Sequence, residues 1–230
     1  MNATPQTAPG FINRINQSFI FQAWLVLLLA SFFGAALAGV QLTLAPKIEA
    51  NKLNETLLQV PELIFGVEGA KPMADRQLEI ERWFFETGNG AQKKTYSVFQ
   101  AKTNGQTVGW VAKASGQGYA DKIELLIGLD ASAQAITGLF ILDQKETPGL
   151  GNKIIEPVWR NQFIHKSTGK GLAAVKTKAS AFNEINAITG ATISSKSVCD
   201  IVNQSLENLR QPLADAASTP QNASGDQPEQ

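Results

Sequence analysis

"TYSVFQAKTNGQTVGWVAKAS", residues 95–115, sets two β-rich runs on either side of Asn104-Gly105. That dipeptide between such runs is a strong hairpin signal, because both turn positions need positive φ and Asn and Gly reach it at least cost. Two further runs follow, "KIELLIGLD" (122–130) and "AITGLFILD" (135–143), separated by a small polar turn. Strands joined by short turns pair antiparallel, since a parallel pair needs a long crossover. The fold class expected is α+β: a mainly antiparallel sheet with flanking helices.

The flanks fill in around this sheet. "ETPGLGNKI", 146–154, is a loop by its Pro-Gly and Gly content, and "EPVWRNQF" after it reads as a short helix. In "SSKSVCDIVNQSLENL", 194–209, apolar residues fall at 198, 201, 202, 206 and 209, close to helical period, with Ser194 or Ser195 as the N-cap. Residues 212–230 hold few large apolar side chains and read as a disordered tail. On the amino side, "ADRQLEIERWFFETGNG" (74–90) reads as helix then turn, and "PKIEANKLNETLLQV" (46–60) as an amphipathic helix with Pro46 at its first position.

Residues 15–46 contain no Lys, Arg, Asp or Glu, and the dense apolar part is 19–44. About 20 apolar residues suffice to span a bilayer. Trp24 suits an interfacial belt. A cleaved signal peptide is the competing reading, with "ALA" at 36–38 as its cleavage site. The long leader, whose only basic residue is Arg14, and the apolar continuation past that site favour an uncleaved anchor. Lys47 and Lys52 are mixed with Glu49 and Glu55, so charge does not set the orientation. The expected organisation is an N-terminal segment (1–18), a transmembrane helix (19–44), a helical connector that starts the domain (45–94), the domain itself (95–211) and the tail (212–230).

Composition excludes some classes. Lys+Arg and Asp+Glu number 20 each, so no basic excess is available for nucleic acid. One cysteine, Cys199, forms no internal disulfide, and one histidine, His165, makes no multi-histidine metal site. Cys199 reads as a packed helix residue and His165 as a surface one. No residue is assigned an acid-base role.

The densest chemistry is "NAITGATISSKSV", 186–198. The first amides of a helix lack internal partners and, with the helix dipole, favour an anion. Gly190 and Ala191 let backbone approach a bulky ligand, while Thr189, Thr192, Ser194 and Ser195 supply hydroxyls. A structural cap and a phosphate site, bound or esterified, both fit these residues. "GKGLAA" at 169–174 lacks the P-loop pattern.

"TGAT" (189–192), "ETPGLGNKI" (146–154), "GYADKIELLIGLD" (118–130) and "WRNQF" (159–163) occur in the order found in covalent FMN-binding domains. With the single anchor, the chain resembles the G subunits of Rnf electron-transport complexes and, more distantly, the C subunits of Na⁺-pumping NADH:quinone reductases. The resemblance implies FMN joined through its phosphate to Thr192 by a separate flavin transferase, and a domain outside the cytoplasmic membrane. It implies other subunits of the complex and membrane lipid as partners, and an electron-relay role with no turnover of its own. Related acceptor sites often carry Asp six residues before the modified Thr, where this chain has Asn186. Glu146, Thr147 and Leu150 form either a tight turn or a loop lining the flavin. Lys153 is either a cation near the ring or phosphate or a solvated surface residue, and Tyr119 and Trp159 either stack on the ring or belong to the core. A membrane-anchored flavin sensor and a non-flavin binding module remain the readings from other classes.

Overall fold

The computed structural model describes residues 19–73, 78–87 and 93–218. The expected N-terminal segment 1–18, the turn at 88–90 and the last part of the tail lie outside the described residues. The chain divides into two units, 1–53 and 54–230.

Helix α1 (Phe19–Met73) begins in the first unit and ends in the second, with Gly66 outside helical geometry at φ 73° and ψ 168°. Within Phe21–Gly66 its apolar window has a mean hydropathy of 2.2 and no buried share, so by length and composition it is able to cross a membrane. The apolar segment and the amphipathic segment at 46–60 form one continuous helix through Pro46 rather than two.

In the second unit five strands form an antiparallel meander, β1 (Leu78–Thr87), β2 (Lys94–Thr103), β3 (Gln106–Gln117), β4 (Lys122–Asp130) and β5 (Ile136–Asp143), paired in chain order. Asn104 (φ 52°) and Gly105 (φ 74°) turn the β2–β3 hairpin in the left-handed conformation that these two residues reach most easily. The short helix α2 (Pro157–Arg160) continues into a tight turn at Asn161–Phe163. β6 (Ala173–Val175) and β7 (Glu184–Asn186) make a small parallel ladder, and α3 (Thr192–Ser218) closes the domain.

One face of the meander packs on α3: Val98, Trp110, Leu125 and Ile127 meet Val202 and Leu209 in a single buried cluster. The other face is flattened by Gly109, Gly128 and Gly138. A Cβ on Gly128 would stand 2.6 Å from the Leu63 carbonyl oxygen, one on Gly138 2.9 Å from Leu63 Cδ2, and one on Gly109 2.9 Å from Ile64 Cγ2. Missing side chains on three neighbouring strands therefore let the end of α1 lie close against the sheet.

Two expectations are corrected here. The segment 45–94 is not helical throughout: Leu78–Thr87 is the edge strand β1, whose side chains stay largely exposed on both faces, so its pattern never alternates cleanly. The tail does not begin at Pro212: α3 continues through it to Ser218. Leu213 is fully buried in the α3 cluster, and that packing holds the helix past a proline that removes one backbone bond.

Candidate functional site

A cavity of about 730 Å³ opens where three connections meet. Thr147, Leu150 and Gly151 form one wall and the run 187–194 forms another, with Tyr119 from the β3–β4 turn and Lys176 from the end of β6 completing the lining. The volume lies in the range of pockets for small ligands and cofactors.

The run 187–194 owes its shape to a few local rules. Gly190 takes φ 81°, and a Cβ there would stand 3.0 Å from Leu150 Cδ2, so glycine serves both the turn and the close approach. The Ala191 amide donates to the Ile188 carbonyl at 2.9 Å, closing the turn before α3 starts at Thr192. The first amides of α3 have no partner within the helix. Thr192 is half-buried at the cavity, and among the described residues its hydroxyl makes no hydrogen bond.

Thr189, exposed at the same cavity, likewise makes none among the described residues, whereas the two serine hydroxyls that follow Thr192 are committed. Ser195 Oγ donates to the Ala191 carbonyl at 3.0 Å and accepts from the Ile188 amide at 3.0 Å. Ser194 Oγ donates to Glu146 Oε2 at 2.6 Å. Neither serine is the N-cap expected from sequence; both lie inside the first turn, fully or nearly fully buried.

Glu146 is 4% exposed and lies behind the cavity rather than on it. Its Oε1 accepts from the Tyr119 amide at 2.9 Å and the Ala120 amide at 3.1 Å. One carboxylate thus ties the β3–β4 turn, the 146–151 loop and the start of α3. Two glycines make room for it: a Cβ on Gly118 would stand 2.3 Å from Glu146 Oε1, and one on Gly151 2.8 Å from Ser194 Oγ.

Of the residues singled out from sequence, Thr147, Leu150, Thr189, Gly190, Ala191, Thr192 and Ser194 line the cavity together. Glu146, Ser195 and Lys153 do not; Lys153 is exposed on the tight turn Gly151–Ile155. Tyr119 lines the cavity at 62% exposure. Trp159 is core instead: it is 6% exposed, packs edge-on to Phe163 at 5.3 Å, and donates from Nε1 to the Asn186 carbonyl at 2.8 Å. Sequence reasoning missed Lys176, which reaches the site through the parallel β6–β7 pairing, a contact with no local signal.

Asn186 anchors the second wall. Its Oδ1 accepts from the Ala179 amide at 2.7 Å, and its Nδ2 donates to Gln162 Oε1 at 2.9 Å. Nearby, amide donation from Ser180 and then Ala181 holds the Glu184 carboxyl below its usual range. In the opposite turn, the Lys122 amide and then Lys145 lower the Asp121 carboxyl. Burial, and secondarily Asp200, pushes the Cys199 thiol up to about 12, so it stays neutral and packs as an apolar side chain. Among the described residues no group of three or more His, Cys, Asp or Glu is arranged to hold a metal ion.

The chain is similar to known proteins over this region. The FMN-binding domain family matches residues 118–207, which span both cavity walls. Over 200 residues the chain is 34% identical to the G subunit of the Na⁺-translocating ferredoxin:NAD⁺ oxidoreductase complex of Acetobacterium woodii, covering 84% of this chain and 93% of that protein. Over 214 residues it is 28% identical to the G subunit of the ion-translocating oxidoreductase complex of Stutzerimonas stutzeri, covering 90% and 87%. The crystal structure of Shewanella oneidensis NqrC shares the fold, with a TM-score of 0.60 at 15% identity over 73% of this chain and 98% of that one. A likeness that runs from the apolar helix through both loops of the cavity makes the chain a member of the G-subunit family of ion-translocating oxidoreductase complexes, with an FMN-binding domain at its carboxyl side.

Proposed function

We propose that this chain is the membrane-anchored electron-relay subunit of an ion-translocating ferredoxin:NAD⁺ oxidoreductase, carrying FMN esterified through its phosphate to Thr192. The observation that carries the reading is the junction at Gly190: the half-buried Thr192 lines the cavity at the first turn of a 27-residue helix with its hydroxyl uncommitted among the described residues, while the hydroxyls of Ser194 and Ser195 are consumed by hydrogen bonds. Donor amides and helix dipole at that turn favour a phosphodiester. Gly190 and Ala191 keep the approach open. Thr147 and Leu150, on the facing wall, are placed to contact the ring, Thr147 by its hydroxyl and Leu150 by its 44% exposed side chain.

Bound FMN supplies one- and two-electron transfer, and the protein's part is to hold the ring and set its surroundings. An ester bond suits a carrier on the outer side of the cytoplasmic membrane, where released flavin is lost by dilution. α1 keeps the carrier in the membrane beside the other subunits of the complex, and a separate flavin transferase attaches the cofactor. The fold alone is shared with NqrC, so it favours neither complex. The 34% identity over most of the chain favours the G subunit over a quinone-reductase C subunit.

The test is flavin fluorescence of the full-length protein on a denaturing gel, purified from cells that contain the transferase. The wild-type band is expected to fluoresce and Thr192→Val to be dark. A dark wild-type band overturns the covalent FMN, and a fluorescent Thr192→Val moves it to another residue. Co-purification with other membrane redox subunits supports a relay; its absence supports a stand-alone flavin sensor.

A further inference from the structure

The cavity holds one charged side chain among its described lining residues, Lys176. The nearest candidate from sequence, Lys153, is exposed outside the lining, and Glu146, the carboxylate behind the wall, has its oxygens occupied by Tyr119, Ala120 and Ser194. Among the described residues Lys176 makes no hydrogen bond or ion pair. Its backbone is fixed beside the second wall: Val175 pairs with Asn186, and the Ala187 amide donates to the Val175 carbonyl at 2.8 Å. The backbone pairing thus brings Lys176, an exposed and uncommitted side chain among the described residues, to the cavity beside the run that leads to Thr192.

A cation in such a place has two uses, pairing with the phosphodiester or with charge on the ring. A phosphodiester on Thr192 would be met by the amides of the first turn of α3, which lack partners within the helix. The ring gains charge only on reduction: two electrons and one proton leave one negative charge on it. We propose that Lys176 is a positioning residue of opposite charge for the reduced ring, raising the fraction of flavin that is reduced at a given ambient potential. The proposal rests on the FMN reading above.

The experiment compares full-length wild type, Lys176→Gln, Lys176→Arg and, as controls of identical charge change, Lys153→Gln and Lys178→Gln. Loading is read by in-gel fluorescence. Dithionite supplies the electrons and solvent the proton in an anaerobic titration against mediator dyes, with the flavin followed by its visible absorbance. Lys176→Gln is expected to load as wild type and to show a reduced-to-oxidised ratio about tenfold lower at fixed potential, the size of a partly screened charge a few ångströms away. Lys176→Arg is expected to restore the ratio and both controls to leave it unchanged. An unchanged ratio in Lys176→Gln overturns the proposal, as does an equal drop in the controls, which makes the effect one of net charge. Loss of loading in Lys176→Gln also overturns it, placing the lysine at the phosphate. A wild-type band without fluorescence removes the FMN reading itself, and this proposal with it.

Discussion

The two loops that wall the cavity are held in opposite ways. The 146–151 loop hangs on one buried carboxylate, Glu146, which gathers two amides of the β3–β4 turn and one hydroxyl of α3. The 186–192 loop hangs on a net spread over the surface. Asn186, an exposed residue, donates twice to Gln162 and accepts from Ala179 and Trp159, while buried Ser195 braces Ile188 and Ala191 from inside. A buried hub is worth much because each donor left behind is stranded away from water. An exposed net is worth less because water replaces any lost member. The 146–151 loop is thus held through one residue, and the 186–192 loop by many small bonds.

Removing the hub is the most direct way to break this contrast. Glu146→Leu strands the Tyr119 and Ala120 amides and the Ser194 hydroxyl, and a loss of about 3 kcal/mol or more is expected in chemical denaturation of the detergent-solubilised chain. Glu146→Gln keeps an acceptor for the amides and is expected to lose about half as much. Equal losses from the two variants would show that packing, not the carboxylate's acceptor role, holds the loop.

Legibility in the sequence follows the range over which each feature is decided. The β2–β3 hairpin is readable because Asn104-Gly105 carries the turn chemistry itself. That Thr192, Gly190 and the 146–151 loop line one cavity is foreshadowed by their two motifs, each of which carries its own turn chemistry. Edge strand β1 reads as helix, since an edge strand exposed on both faces shows no period of two. Ser194 and Ser195 read as caps because serine usually is one; partners 48 and 7 residues away, Glu146 and Ile188, decide otherwise. Of the two readings open for Lys153 in the sequence, the structure fits the exposed surface lysine, whereas only the β6–β7 pairing brings Lys176 to the cavity.

The net around Asn186 makes the second comparison. Asn186→Ala removes the acceptor for Ala179 and the donor to Gln162, and is expected to cost about 1 kcal/mol, well under the hub variant. Asn186→Asp keeps the acceptor for Ala179 and loses the donor to Gln162, whose Oε1 stays engaged by the residue-186 backbone amide, so a loss of about 0.5–1 kcal/mol is expected. Under the proposed flavin attachment, in-gel flavin fluorescence of Asn186→Asp is expected to match or exceed wild type. A loss as large as that of Glu146→Leu would put the two walls on the same footing.

The smallest expected effect lies at Glu184, which feeds the same wall. Its carboxylate accepts from the Ser180 amide at 2.7 Å and the Ala181 amide at 3.1 Å, holding the turn that leads into β7 and Asn186. These bonds lower its folded-state pKa from the ordinary 4.5, so the carboxylate stabilises the turn fully above 4.5 and loses that effect as pH falls through the lowered value. The side chain is only half-buried, and water screens the gain. The expected signature is therefore local: faster amide exchange at Ser180 and Ala181, after correction for intrinsic rates, as acid protonates Glu184, with no matching change at Tyr119 and Ala120 behind Glu146. Glu184→Gln should abolish the pH dependence while leaving exchange at Tyr119 and Ala120 untouched. Coupled changes at both turns would mean that the two walls move as one body, and that the division between a buried hub and an exposed net does not describe how the cavity is held.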